Sequence, residues 1–323
     1  MAAGVWPVAW GKYRQFMFQR LNAGLCAAAL GLSATALLIV PLLLLPQAPF
    51  VATTIVIVTA LLTPFHAALL HEAIHGKLLK GERANRTAGR LLAVCFGVAF
   101  EVVRYGHLAH HRFNRHALDR PDVLEGNATL CRRLGYFANL LGGVYAIELL
   151  STLMSLLPRR VLIARIGRLT KGDEASALAV VRGMQRAVAD ARLTRARIDC
   201  FAVLTLYGLA FWLYGAAWLL LLASIVIRGL VISLFDNAPH YGTPPATHAP
   251  VFNLSLPAWA RAVMLNQNLH GLHHRRPGLP WHALPAAFAA DGIRYDGTFA
   301  RAVLRQFNGP QPACQARDFE AIS

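Results

Sequence analysis

The chain has 323 residues, of which 56% are hydrophobic and 15% charged, and a formal net charge of +16. A soluble domain carries charge on about a quarter of its residues, so an ordinary soluble globule is excluded. Nucleic-acid binding is the other reading of so basic a chain. It fails because the cations flank lipid-length apolar segments instead of interleaving with aromatics on a soluble face.

Residues 1–20 form a basic leader with Trp6, Trp10, Tyr13 and Phe16, a mixture that suits a membrane interface. Leu21 to Leu70 then contains no Asp, Glu, Lys or Arg. That is room for two spans of about 20 residues, placed at 21–45, ended by Pro46, and at 50–70. The first run is too long for a signal peptide and no small-residue cleavage site follows it. The second helix is expected to continue through His71-Glu-Ala-Ile-His75. Leu91 to Val103 is too short to cross and reads as an in-plane or buried helix leading into His107-Leu-Ala-His110-His111.

Leu134 to Leu157 is long enough to cross, but Arg132-Arg133 precede it and Arg159-Arg160 follow it. Residues 158–199 carry ten Lys/Arg against four Asp/Glu. Positive loops stay cytoplasmic, so 134–157 is expected to lie in the interface and 158–199 to form an amphipathic cytoplasmic segment. Cys200 to Phe235, with only Arg228 charged, is expected to fold as a hairpin about Tyr214-Gly215 and return to His240. Residues 236–323 form a cytoplasmic cap with His270-Gly-Leu-His273-His274. The expected architecture is one all-α membrane domain over 1–323, with about four transmembrane helices, both termini cytoplasmic, and a helical cap carrying histidine boxes. The five cysteines are dispersed and form no Cys-x-x-Cys pair, so no disulfide framework is indicated.

The histidines carry the chemistry. Spacings of three and four residues put imidazoles on one helix face. His71, His75, His107, His110, His111, His270, His273 and His274 fall into three such boxes, and His240 follows the hairpin back to the same side. Nine imidazoles exceed the four ligands that zinc takes and suit two first-row metals. His66, His116, His248 and His282 lack the spacing and read as ordinary core or surface residues. Glu72, Asp119 and Asp122 sit beside the boxes. Carboxylates there accept the second imidazole N–H and fix the tautomer. Asn237 and Asn268 read as turn or capping residues, with a water-mediated metal contact as the lesser alternative.

The order of the boxes resembles that of the integral-membrane fatty acid desaturase family. So do their surroundings: His71-Glu-Ala-Ile-His-Gly; Gly106-His-Leu-Ala-His-His with Asn114 and Asp119-Arg-Pro-Asp122; and Asn268-Leu-His-Gly-Leu-His-His with Pro277 and Pro280-Trp-His-Ala-Leu-Pro285. The likeness runs from about 50 to 290 and is unspecific for substrate. It implies a cytoplasm-facing di-iron centre that uses dioxygen on a lipid or acyl chain. The protein is expected to be a multi-pass protein of a bacterial inner membrane. Sphingolipid-type desaturases and carotenoid ketolases look alike at this level, so a lipid hydroxylase or a carotenoid ketolase or hydroxylase is the alternative. The non-oxidative alternatives are a zinc membrane hydrolase and a metal transporter. A hydrolase needs only about three protein ligands, and a transporter places ionisable groups within its spans.

No dinucleotide fingerprint, iron–sulfur run or haem motif is present in the sequence. Electrons are therefore expected from a separate carrier, a ferredoxin or a cytochrome b5-type protein. A basic surface steers such acidic partners, and Arg104, Arg112, Arg115, Arg275 and Arg276 are the cations nearest the boxes.

Overall fold

The computed structural model describes residues 5–116, 119–124, 129–168, 175–244 and 251–312. His248, and Asp173 in the basic 158–199 segment, lie outside the described residues. The protein is helical, with four two-residue strands among the described residues.

Helix α1 (Val5–Ala34) continues as a π-helical stretch (Thr35–Leu44). Pro41 lies inside that stretch. Proline has no N–H to give the preceding turn and its ring crowds the carbonyl four residues back, which favours the wider π spacing. Helices α2 (Pro49–Leu61) and α3 (Thr63–Ile74) meet at a 44° bend, with a proline opening each helix. The expected span over 50–70, continuing toward the first box, is thus a bent pair of helices. The bend tips the last turn of α3, which carries the first box, toward the bundle.

Helices α4 (Glu82–Phe96) and α5 (Phe100–Phe113) meet at 100°. Gly97 makes that corner with φ +94°, a conformation open to glycine and costly to other residues. The expected 91–103 element is therefore the end of one helix and the start of the next. Four backbone groups at the break have side-chain partners, of the kind an apolar interior requires. Tyr207 donates to the Cys95 carbonyl at 2.8 Å, and Arg228 to the Phe96 carbonyl at 3.0 Å. The amide of Phe100 donates to Asp199 at 3.2 Å, and that of Ala99 to Thr152 at 3.0 Å. Arg228, 8% exposed, is thus held by carbonyl and phenol oxygens at a helix end.

Among the described residues, three stretches are long and apolar enough to cross a membrane: Met17–Leu44, Leu130–Met154 and Ala191–Asn237. The bent pairs raise that number to as many as five. The third stretch is the expected hairpin. Helices α10 (Ala191–Tyr214) and α11 (Trp218–Asn237) fold back at Gly215, φ +50°, so that Arg228 reaches Tyr207 at 2.6 Å. The second stretch comprises α6 (Leu130–Ala138) and α7 (Val144–Met154), kinked at Gly142, φ +121°. Its apex packs against Gly229 in the middle of α11. Near its start Tyr136 donates to the Gln306 carbonyl at 2.7 Å, and just past its end the Ser155 carbonyl accepts from Arg197 at 3.0 Å. Both of those partners lie toward the end of the bundle where the boxes sit.

Helices α8 (Arg159–Gly167) and α9 (Ala175–Ala189) follow; the expected amphipathic face is present on α9, whereas α8 leaves Val161 and Ile163 exposed. They bury Leu162, Ile166 and Val181 against Leu193. Tyr105 of α5 donates to the Val180 carbonyl at 3.0 Å, in a space that only the absence of a side chain at Gly183 leaves open.

The C-terminal segment wraps the box end through α12 (Ala258–Val263), α13 (His270–Arg275), α14 (Leu284–Ala290) and α15 (Phe299–Arg305). Two short parallel pairings tie it down. Strand β2 (Leu254–Ser255) runs beside β3 (Gly297–Thr298), and β1 (Val123–Leu124) beside β4 (Gln311–Pro312). Trp281 fastens the segment to the bundle, donating from its indole to Asn22 at 3.0 Å and from its backbone to Glu72 at 3.2 Å.

Candidate metal centre

The last turn of α3 places His71 and His75 on one face, and α5 presents His107, His110 and His111 opposite them. Helix α13 brings His270, His273 and His274 from the C-terminal side. It is only six residues long, so packing rather than helix propensity holds it. Leu272 is fully buried, its amide donates to Asn253 at 2.8 Å, and Gly271 lies directly on the Val251 carbonyl. His240 follows α11 in a turn where its carbonyl accepts from Thr243 at 2.8 Å.

The nine imidazoles divide into two groups. His71, His75, His107, His111 and His273 form one, and His110, His240, His270 and His274 the other. In each group the ligand atoms lie within 4.8 Å of one another. Several Nε2 atoms point at each other: His75 to His107 at 2.9 Å, His111 to His107 and to His273 at 3.0 Å, His274 to His270 at 3.2 Å. Nitrogens bound about 2.1 Å from one ion sit about 3.0 Å apart on adjacent octahedral corners. The observed spacings match. His71 Nε2 and both ring nitrogens of His240 are buried without a hydrogen-bond partner. Buried polar atoms are rarely left so, and a bound cation would satisfy one nitrogen of each ring.

The imidazoles outside the helical spans are held neutral. Burial, reinforced by the neighbouring imidazoles, keeps His240, His270 and His274 well below the usual imidazole range and His273 down at about 2. Burial and then Lys77 and Arg104 bring His75 to about 4. Neutral imidazole is the form that binds metal.

The residues around the boxes behave unevenly. Asp119 accepts from His110 Nδ1 at 2.7 Å and so leaves His110 Nε2 facing the second group. Asp122 does not touch a box histidine. It pairs with buried Arg115 at 3.1 Å and accepts from the Gly242 amide at 2.8 Å, which steadies the turn after His240. Glu72 accepts from Trp281 instead of an imidazole. Gln267, not singled out in the sequence, lies 3.1 Å from His71 Nδ1. With its amide turned so that the oxygen faces the ring, it accepts the imidazole proton and leaves Nε2 free; that orientation is an assignment from the hydrogen-bond pattern. Gln267 directly precedes the third box motif, the one signal that pointed to it. Asn268 is committed to the Leu254 carbonyl at 2.7 Å, and Asn237 to that of Ser233 at 2.8 Å. His66 is a satisfied core residue, 2.9 Å from the Leu92 carbonyl, and His282 stacks on Phe18. Arg115 is 1% exposed and cannot belong to a docking surface, whereas Arg112, Arg275 and Arg276 are exposed.

Backbone strain concentrates here. The non-glycine residues with positive φ among those described are Arg115, after the second box, and Leu265 and Asn266, before the third. Such conformations persist where the surrounding structure enforces them.

A cavity of about 1120 Å³ opens beside the imidazoles. His71, His107, His110 and His240 border it, and Leu70, Phe96, Ile147 and Ile232 give it apolar walls. The model of the fatty acid desaturase family matches residues 48–298, well over half of the chain. The chain belongs to the fatty acid desaturase family. No curated protein and no solved structure matches it significantly. In this family member the matched region takes in all three boxes, His240 and the cavity, and ends where the β2–β3 pairing closes the C-terminal segment. Its apolar helices make this desaturase-family protein a membrane protein.

Proposed function

We propose that the protein is an oxygen-dependent di-iron desaturase that introduces a double bond into a fatty acyl or other lipid chain. The observation that carries this reading is the division of nine imidazoles, five and four, around two points beside an apolar cavity. The family is one of desaturase- and hydroxylase-type oxidases. Iron supplies the redox chemistry that an unactivated C–H bond requires and that zinc lacks.

The chain's own residues do the rest. The cavity takes the hydrocarbon out of water and presents one segment of it to His71, His107, His110 and His240. Asp119 holds the proton of His110 Nδ1, so its other nitrogen remains a donor of electrons. Burial keeps His270 and His273 neutral. Desaturation removes two hydrogens from the lipid while dioxygen, two electrons and two protons become two waters. Hydroxylation of the same carbon differs in the second step and is the companion reading on this scaffold.

Two irons per chain are expected on elemental analysis of protein purified without oxygen. One tightly bound zinc and no iron would overturn the oxidative reading. Lipid mass profiling of cells with and without the intact gene separates the two outcomes. Loss of two hydrogens marks desaturation, and gain of one oxygen marks hydroxylation.

The box-bearing face is proposed to be cytoplasmic, in a bacterial inner membrane. The electrons are proposed to come from an acidic carrier, a ferredoxin or cytochrome b5-type protein, docking on Arg112, Arg275 and Arg276. Arg276 also pairs with Asp291 at 2.9 Å. Carrier-driven turnover should fall as salt rises, because exposed charges are screened within about 8–10 Å. Reversing Arg275 and Arg276 to Glu should slow it further with iron content unchanged. Turnover indifferent to both changes would rule out this surface.

A further inference from the structure

The cavity does not end at the imidazoles. It continues between α5, α8, α9 and the start of α10, where Leu162, Ile166, Val180 and Leu193 give it apolar walls. Arg165, Arg168 and Arg192 border it there and are exposed, so they mark the rim where it meets solvent. Arg186 and Arg192 lie within electrostatic range of Tyr105, which borders the same space. The carboxylates at this end are already taken. Glu101 is held by Arg86 and by Arg195 at 2.9 Å, and Asp190 by Arg192 at 3.0 Å. The side chains of Arg165 and Arg168 make no hydrogen bond and no ion pair with any described residue.

Membrane topology asks for cations in cytoplasmic loops. It does not ask that they rim an apolar cavity without counter-charges. Like charges gathered at a cleft repel one another and focus a positive potential into it. An anion at the rim relieves that repulsion, and the guanidinium fork matches phosphate oxygens in geometry as well as in charge. A largely apolar pocket with a few convergent polar groups is the usual form of a ligand site. Hydrocarbon walls with a cationic rim are complementary to an amphiphile whose chain lies inside and whose anionic head stays at the mouth. A carotenoid or a plain hydrocarbon offers such a rim nothing.

We propose that Arg165, Arg168 and Arg192 form a headgroup site at the mouth of the cavity, which binds the phosphate of an anionic acyl substrate while its chain runs past α8 and α9 to the histidines. The site rests on the reading of this cavity as the substrate cavity. It narrows the substrate class from any lipid chain to one with a phosphate-bearing head. It also sets which carbon is oxidised, because the anchored head fixes the length of chain between the rim and the imidazoles.

The test is competition by octadecanol and octadecyl phosphate, at equal mole fraction in uncharged detergent, for a fluorescent fatty alcohol bound to the purified full-length protein. Octadecyl phosphate should compete about tenfold better, the worth of one hydrogen bond to a charged group. In the double variant Arg165→Gln, Arg168→Gln that advantage should shrink to about twofold or less. Octadecanol binding and metal content should stay unchanged, which certifies that the variant folds. The control for general surface charge is Arg294→Gln, Arg301→Gln, which removes the same charge from exposed positions outside the cavity and should keep the full advantage. Stearoyl lysophosphatidate and stearoyl-coenzyme A separate the two sources of the phosphate, and the stronger competitor names a lipid headgroup or a soluble thioester. Equal competition by octadecanol and octadecyl phosphate would overturn the proposal. So would an advantage that survives the loss of Arg165 and Arg168, or one that falls equally in the control. The readout does not need turnover. A protein with zinc in place of iron that still showed the preference would defeat the oxidative reading and leave the headgroup site standing.

Discussion

Replacing His273 with alanine should abolish product formation and lower the metal content from two ions to about one. His273 is 1% exposed, its Nε2 lies 3.0 Å from that of His111, and it is the only member of the five-imidazole group supplied by the C-terminal segment. No other side chain in the group can take its direction. His270→Ala should produce the mirror result, emptying the four-imidazole group and sparing the other. Asp119→Ala provides a graded comparison. It removes the acceptor for His110 Nδ1 without removing a ligand, and losses of that kind run to about 10–100-fold in metal affinity or activity. The ligand substitutions should exceed that range. His116→Ala should retain both metals; His116 borders the cavity, so metal content is the decisive readout there. Two metals retained in His273→Ala would break the five-and-four assignment.

Gly271→Ala should be nearly as damaging, although glycine ligates nothing. A Cβ at this position would lie 2.0 Å from the Val251 carbonyl oxygen and 2.8 Å from the Asn253 amide nitrogen. The first obstacle is backbone, so α13 has to move, and with it three box histidines. Overpacking a filled site costs about 1–3 kcal/mol, and more where backbone has to give way. A lowered thermal midpoint in detergent together with metal loss is the expected result. Gly278→Ala, at an exposed position with open space around it, should change neither. If Gly271→Ala matched the parent protein in both measurements, the close seating of α13 would be wrong.

Helical period and apolar length made the fold legible. The uncharged run from Leu21 to Leu70 and the hairpin about Gly215 are local signals, and they correspond to helices in the structure. The corners were less legible. Gly97 reads as one small residue in an apolar run. Its 100° turn is stable because Tyr207, Arg228, Thr152 and Asp199, all distant in sequence, satisfy the broken helix ends. Leu130–Met154 passes as a span by length, and only its contacts reveal that both ends return toward the boxes.

The boxes themselves were plain, because imidazoles on one helix face must repeat at helical spacing. How they divide was not. Neighbours His110 and His111 fall into different groups, as do His273 and His274, since adjacent residues on a helix point about 100° apart. The carboxylates near the boxes were legible as a class but not by role. Asp119 meets an imidazole, whereas Glu72 and Asp122 take Trp281 and Arg115, partners that sequence proximity does not disclose.

The division of the imidazoles also has an order in time. Four of the five members of the first group lie at or before His111, while three of the four in the second come from His240 or later. During synthesis the membrane helices can offer a first ion nearly all of its ligands before the C-terminal segment leaves the ribosome. The second ion must wait for that segment to fold over the bundle. A nascent chain would thus pass through a stage with one group nearly complete, and the two groups would stand side by side only after the C-terminal segment has closed over the bundle.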